Sequence, residues 1–142
     1  MATTPGMTLP IRVALLAAAV ILIAAVVSTP GNATPQTIAV TMRHSRFLPA
    51  HVTVRRGATV RFVITNVDPI DHEFILGDDG IQRRHETGTE PAHGHVPGEV
   101  SVPAGATAET SYTFTRPGAL LIGCHAPGHY GYGMRGQVLV VY

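Results

Sequence analysis

Cys124, His129 and Met134 follow one another at a spacing of Cys-x4-His-x4-Met, within the stretch Gly123-Cys124-His125-Ala126-Pro127-Gly128-His129-Tyr130-Gly131-Tyr132-Gly133-Met134. Thiolate and imidazole donors suit copper, zinc and iron, whereas a thioether is a soft ligand that zinc rarely takes. Two imidazoles, one thiolate and a weak axial Met make up the donor set of electron-transfer copper sites. The loop therefore asks for one more histidine. His72 is the best placed, because it opens the apolar run His72-Glu73-Phe74-Ile75-Leu76 after the turn at Asn66–Asp71. Glycines at 128, 131 and 133 let backbone approach closely, and Pro127 narrows the conformations open to the loop. Plainer readings stand beside this one. Cys124 as an inert buried thiol, Met134 as a core residue near a metal but not bonded to it, and His72 as an ordinary strand-end histidine would each leave the set incomplete. His125 neighbours Cys124 and points the other way along an extended chain, so it is expected outside the ligand set, at the surface or in a hydrogen bond.

The chain around these residues has 142 positions, a single cysteine, eight histidines and a formal charge of +1 from ten Arg against nine acidic residues. One cysteine excludes an intrachain disulfide and any Cys-only zinc or iron–sulfur site. Scattered Arg at near-neutral charge excludes a nucleic-acid binder, which needs clustered cations to meet the phosphates.

Residues 13–27 read VALLAAAVILIAAVV, apolar and uncharged, with Arg12 before and Ser28-Thr29-Pro30-Gly31 after. The run is short for a membrane span of about 20 residues and suits a signal-peptide core of roughly 7–15. An export signal is the expectation, with an uncleaved N-terminal anchor second and a buried core helix third. Residues 1–33 are accordingly assigned to a signal or anchor helix with its linker, and residues 34–142 to one domain. Either main reading puts that domain outside the cytoplasm, periplasmic, extracellular or held to the membrane through residues 13–27. A free thiol there is anomalous unless a metal keeps it.

The domain must hold the loop, and its pattern is one of strands. Thr37–Met42, His51–Arg56, Thr59–Val67, His72–Leu76, Glu99–Val102, Glu109–Phe114, Ala119–Gly123 and Gly136–Tyr142 are short, rich in Val, Ile, Thr and Phe, and bounded by turn residues. Expected turns include Asn66–Pro69 and Gly77–Gly80. The fold class is all-β, a sandwich or barrel. Residues 77–98 carry no strand pattern; a short helix is expected near Gln82–Glu86, and a loop of this length tends to be functional. Its histidines, from His85 to His95, are a candidate secondary metal contact, with a plain solvated loop as the simpler reading. Asp68, Asp71, Glu73, Asp78 and Asp79 are expected to share one acidic edge.

Phe47-x-Pro49, Val52-x-Val54-x-x-Gly57, Val60-x-Phe62, Asn66-x-Asp68, His72-Glu73-Phe74 and Cys124 through Met134 with Gly136 after it resemble the cupredoxins, the small blue (type 1) copper proteins. The likeness runs from Thr37 to Tyr142. It implies a Greek-key β-sandwich, a single mononuclear copper, and one-electron transfer outside the cytoplasm. It further implies a trigonal set of His72, Cys124 and His129 with Met134 axial, and a redox protein docking near His129 beside Ala126, Pro127, Tyr130 and Tyr132. One departure stands out. Many cupredoxins follow the first ligand His with Asn or Ser, which ties the two ligand segments together; here Glu73 takes that place, and a carboxylate near the metal would alter the site.

An enzyme is not expected. A multicopper oxidase needs several His-x-His pairs, and the chain has one, His93-Gly94-His95, with Gly123 where a His would precede the Cys. A binuclear copper centre needs a second Cys. The alternative function is copper handling, as an extracytoplasmic carrier, buffer or resistance protein.

Overall fold

The computed structural model describes residues 1–2, 35–88 and 96–142. The apolar run expected as signal or anchor lies outside the described residues, as do His93 and His95. Among the described residues no helix is long and apolar enough to cross a membrane.

Nine strands and one helix are described: β1 (Gln36–Met42), β2 (Phe47–Leu48), β3 (His51–Arg55), β4 (Thr59–Asn66), β5 (His72–Gly77), α1 (Asp79–Thr87), β6 (Glu99–Val102), β7 (Thr107–Thr113), β8 (Gly118–Gly123) and β9 (Arg135–Val141). They form two sheets, in the orders β2-β1-β4-β7 and β3-β9-β8-β5-β6. The connections β4–β5, β6–β7 and β7–β8 each pass from one sheet to the other, as expected of a Greek-key sandwich. β1 runs parallel to β4 and β3 parallel to β9; the remaining pairs are antiparallel.

Period-two alternation makes the sandwich. In β4, Val60, Phe62, Ile64 and Asn66 point inward, while Thr59 and Arg61 face solvent. Across the outer face Arg61 donates to both carboxylate oxygens of Glu109 on β7, a cross-strand pair that helps hold the register Arg61↔Ser111. β5 reads HEFILG and is buried along almost its whole length, because a neighbour lies on each edge and α1 packs over it. Phe74 sits at the centre of the aromatic core, 5.2 Å from Phe62 and edge-on to Phe47 at 6.0 Å. Burying each such ring contributes on the order of 1.5–3 kcal/mol relative to leaving it exposed.

One local expectation is corrected, and one strand, β2, adds to those expected. Gly77–Gly80 is not a turn but the entry to α1: Asp78 is the N-cap, its side chain accepting from the Ile81 N–H at 2.9 Å, so the Asp-Asp-Gly signal starts a helix. β2 was hidden because a two-residue strand leaves no alternation to read.

The topology fixes where the chemistry lies. β5 and β8 are antiparallel neighbours with Ile75 opposite Gly123. The start of β5, with His72, and the end of β8, before Cys124, therefore meet at one pole. The chain leaves β8 at Gly123 and re-enters β9 at Arg135, and these two residues are themselves paired. Residues 124–134 thus form a loop pinned at both ends beside His72.

Candidate metal centre

Three donor atoms converge at that pole. His72 Nδ1 and His129 Nδ1 are 3.1 Å apart, Cys124 Sγ lies 3.4 Å from His129 Nδ1, and 3.8 Å from His72 Nδ1. A triangle with these edges has its centre about 2.0 Å from every corner, which matches bonds of about 2.0–2.3 Å from imidazole or thiolate to a first-row metal ion. These three donor atoms are therefore close enough together to hold a first-row metal ion. Among the described residues this is the one cluster of His, Cys, Asp and Glu donors close enough to share an ion. Cys124 and Met134 are fully buried, His72 almost so, and His129 is partly open to solvent.

The loop is a run of consecutive turns. His129 N–H donates to Ala126 C=O, Tyr132 N–H to Gly128 C=O and Gly133 N–H to Tyr130 C=O. Gly128 and Gly133 take φ of +80° and +95°, a region open to glycine and strained for other residues. Cys124 N–H donates to Met134 C=O, and Met134 N–H to His129 C=O, so the three loop residues are cross-tied through the backbone. Met134 lies in the same apolar cluster as Cys124. Of the four expected ligands, His72, Cys124 and His129 are thus brought together by their donor atoms, and Met134 by its place in the surrounding core.

Glu73 does not enter the triangle. Its N–H donates to Cys124 Sγ at 3.3 Å, and its carboxylate accepts the N–H of His125 at 3.2 Å. It ties the two ligand segments together, the task that Asn or Ser performs in the resemblance. Asp68 does not sit on an exposed acidic edge either: it is buried, with Oδ2 2.8 Å from His72 Nε2. Asn66-x-Asp68 belongs to the resemblance noted above, but Asn-Val-Asp-Pro by itself reads as an ordinary turn and does not signal a contact with His72.

His125 is excluded from the triangle and engaged in hydrogen bonds. Its Nδ1 meets Glu86 Oε2 at 3.0 Å and its Nε2 meets Gln82 Oε1 at 2.8 Å, both on α1. Gln82 also donates to the carbonyls of Ile75 and Leu121, so α1 is clamped to β5, β8 and the residue after Cys124. His85 donates Nδ1–H to Ile81 C=O and sets Nε2 3.3 Å from Glu99. Tyr130 stacks on His125 at 4.5 Å under the Arg135 guanidinium, while Tyr132 is exposed. Tyr130 is thus engaged in packing over the loop, whereas the Tyr132 ring lies open to solvent.

Burial dominates the electrostatics of the loop donors. Burial holds the Cys124 thiol above its ordinary range, against the pull of the Glu73 and Ala126 N–H groups. Burial, then the nearby His72, lowers His129, so its imidazole is a neutral donor at pH 7. Burial also lowers His125, partly offset by Glu86. Asp68 ends below the usual carboxylate value: burial would raise it, but hydrogen bonds from Ser45, His44 and His72 outweigh that.

A two-sheet sandwich with a buried Cys and two converging imidazoles at one pole defines a copper-binding cupredoxin. The chain belongs to the cupredoxin-like family, whose domain model matches residues 14–131. It is 44% identical to the copper-resistant cuproprotein CopI of Rubrivivax gelatinosus, over 78% of this chain and 71% of that protein. It is 31% identical to the protein of the same name from Pseudomonas aeruginosa, over 74% and 76% of the two chains. Among solved structures, auracyanin B superposes with a TM-score of 0.64 at 22% identity, covering 78% of this chain and 93% of that one. That likeness is one of fold.

Proposed function

We propose that the chain would hold one copper ion in a mononuclear type 1 centre through His72, Cys124 and His129, with Met134 as the fourth ligand, and acts as a one-electron carrier outside the cytoplasm. The near-equilateral triangle of one sulfur and two Nδ1 atoms carries this reading. Copper, when bound, supplies a one-electron couple between its two common oxidation states. The chain's part is to keep the donors still while the charge changes. Paired strands hold His72 and both ends of the loop, and the Glu73 N–H shares the charge on sulfur. Burial of Cys124 and His72 slows exchange of the ion with solvent. His129, partly open, is the exit for an electron, and a redox protein would dock over it beside Ala126, Pro127 and Tyr132. Residues 1–33 would export the chain or anchor it through residues 13–27, leaving 34–142 as the copper domain. No catalytic residue is assigned.

Copper handling is the second reading, favoured by the name of the curated relatives, copper-resistant cuproprotein. Cu(II) titration of the full chain, followed by visible absorption, tests the shared core: an intense band is expected, lost in Cys124→Ser. A colourless Cu(II) complex would sink it. Reversible reduction with copper retained supports the carrier; ready surrender of copper to a chelator supports handling.

A further inference from the structure

Asp68 stands in the connection between β4 and β5, four residues before His72. Besides the contact with His72 Nε2, its carboxylate accepts the N–H of His44 on Oδ1 at 2.6 Å and of Ser45 on Oδ2 at 2.8 Å. His44 and Ser45 lie in the β1–β2 turn with φ of +50° and +51°, the left-handed region in which successive N–H groups converge on an anion. The Asp68 N–H is itself held by Asn66 Oδ1 at 3.0 Å. The Asn66 amide in turn donates to the carbonyls of Ile70, Val102 and Pro103. The carboxylate is thus fixed by groups from β1–β2, from the end of β4 and from the β6 end.

An ionised carboxylate only accepts hydrogen bonds, so His72 Nε2 must carry the proton. In the neutral ring Nδ1 is then left with its lone pair, facing Cys124 and His129. An anion on the N–H side also makes the imidazole a stronger donor at its other nitrogen.

We infer that Asp68 is a positioning residue of the copper centre, holding His72 with Nδ1 toward the metal and biasing the site toward Cu(II). The inference rests on His72 being a copper ligand as proposed above. Two substitutions separate it from a merely structural clamp. Asp68→Asn removes the charge and, because its NH2 then faces the His44 N–H, that one bond, yet its carbonyl oxygen still reaches Ser45 N–H and His72 Nε2–H. Asp68→Ala removes both the charge and the bond.

The test uses the full chain in both variants and the wild type. In the metal-free protein, ring 15N NMR of His72 is expected to show the Nε2–H tautomer alone in the wild type and in Asp68→Asn, and a mixture in Asp68→Ala. In the copper-loaded protein, the reduction potential is expected to rise from wild type to Asp68→Asn to Asp68→Ala. Cu(II) affinity in the alanine variant is expected to fall about 10–100-fold, with Cu(I) affinity changing less. An unchanged potential in Asp68→Asn overturns the inference even if Asp68→Ala fails to fold, and a retained Cys124-dependent visible band would leave the type 1 reading standing. A wild type without that band overturns both.

Discussion

The backbone N–H of Glu73 points at the sulfur of Cys124 from 3.3 Å, although 51 positions separate the two residues. The Glu73 carboxylate meanwhile accepts from the N–H of His125, the residue that follows that cysteine. One residue thus secures the donor sulfur from both sides, using its main chain for the atom and its side chain for the strand end. The backbone half survives any substitution other than Pro; the side-chain half does not.

Replacing Glu73 therefore tests the tie separately from the ligand set. Glu73→Ala is expected to lower the stability of the metal-free protein by about 0.5–1.5 kcal/mol, the net range for an ordinary hydrogen bond, because this one is long and partly exposed. Glu73→Gln, which retains an acceptor, should recover most of that. Urea midpoints at neutral pH measure both. Equal midpoints for wild type and Glu73→Ala would show that the tie is dispensable.

Gly123 sits where β8, α1 and the loop touch. An added Cβ would press on Gln82 Oε1 and stand 2.8 Å from the Tyr130 ring. Gly123→Ala is expected to destabilise by about 1–3 kcal/mol through overpacking. It should also displace Gln82, freeing the His125 ring. Thermal unfolding reports the first effect and the His125 ring NMR signals the second. Wild-type values in both would mean that α1 gives way without consequence.

Copper uptake should release a proton. Burial holds the Cys124 thiol above its ordinary pKa, so the metal-free protein carries S–H at pH 7. Binding as thiolate expels that proton, and affinity therefore rises with pH until the thiol's own pKa is reached. Isothermal titration in two buffers of different ionisation enthalpy counts the protons. Zero protons released at pH 7 would contradict a protonated resting thiol.

Asp68 sets an acid limit on the metal-free fold. Its folded pKa lies below the ordinary 3.8. Its contribution is present above that unfolded value and disappears as pH falls through the lower folded one. The difference in urea midpoint between wild type and Asp68→Asn should hold steady from neutral pH down to about 4–5 and shrink below. A difference that shrank well above that range would assign the effect to another group.

Much of the fold was legible because it depends on local alternation. Val60, Phe62 and Ile64 recur every second residue, and all three are buried. The loop was legible for a different reason: Cys124, His129 and Met134 lie within eleven residues, so sequence spacing stands in for spatial proximity. The supporting shell was not. Asp68 reaches His44 across 24 positions, and His125 reaches Gln82 across 43. Such contacts are set by how strands from two sheets align, and no short pattern encodes them. His125 shows the limit well. Its exclusion from the ligand set followed from its neighbour, but its burial against α1 depended on a helix 40 residues away.

The last strand, β9, is the shared neighbour of β3 and β8, and the donor sulfur comes only shortly before it. Peeling β9 from its sheet would therefore undo the Gly123–Arg135 pairing and the β3 edge together, so both anchor points of the sulfur-bearing loop would slacken in a single event rather than one at a time.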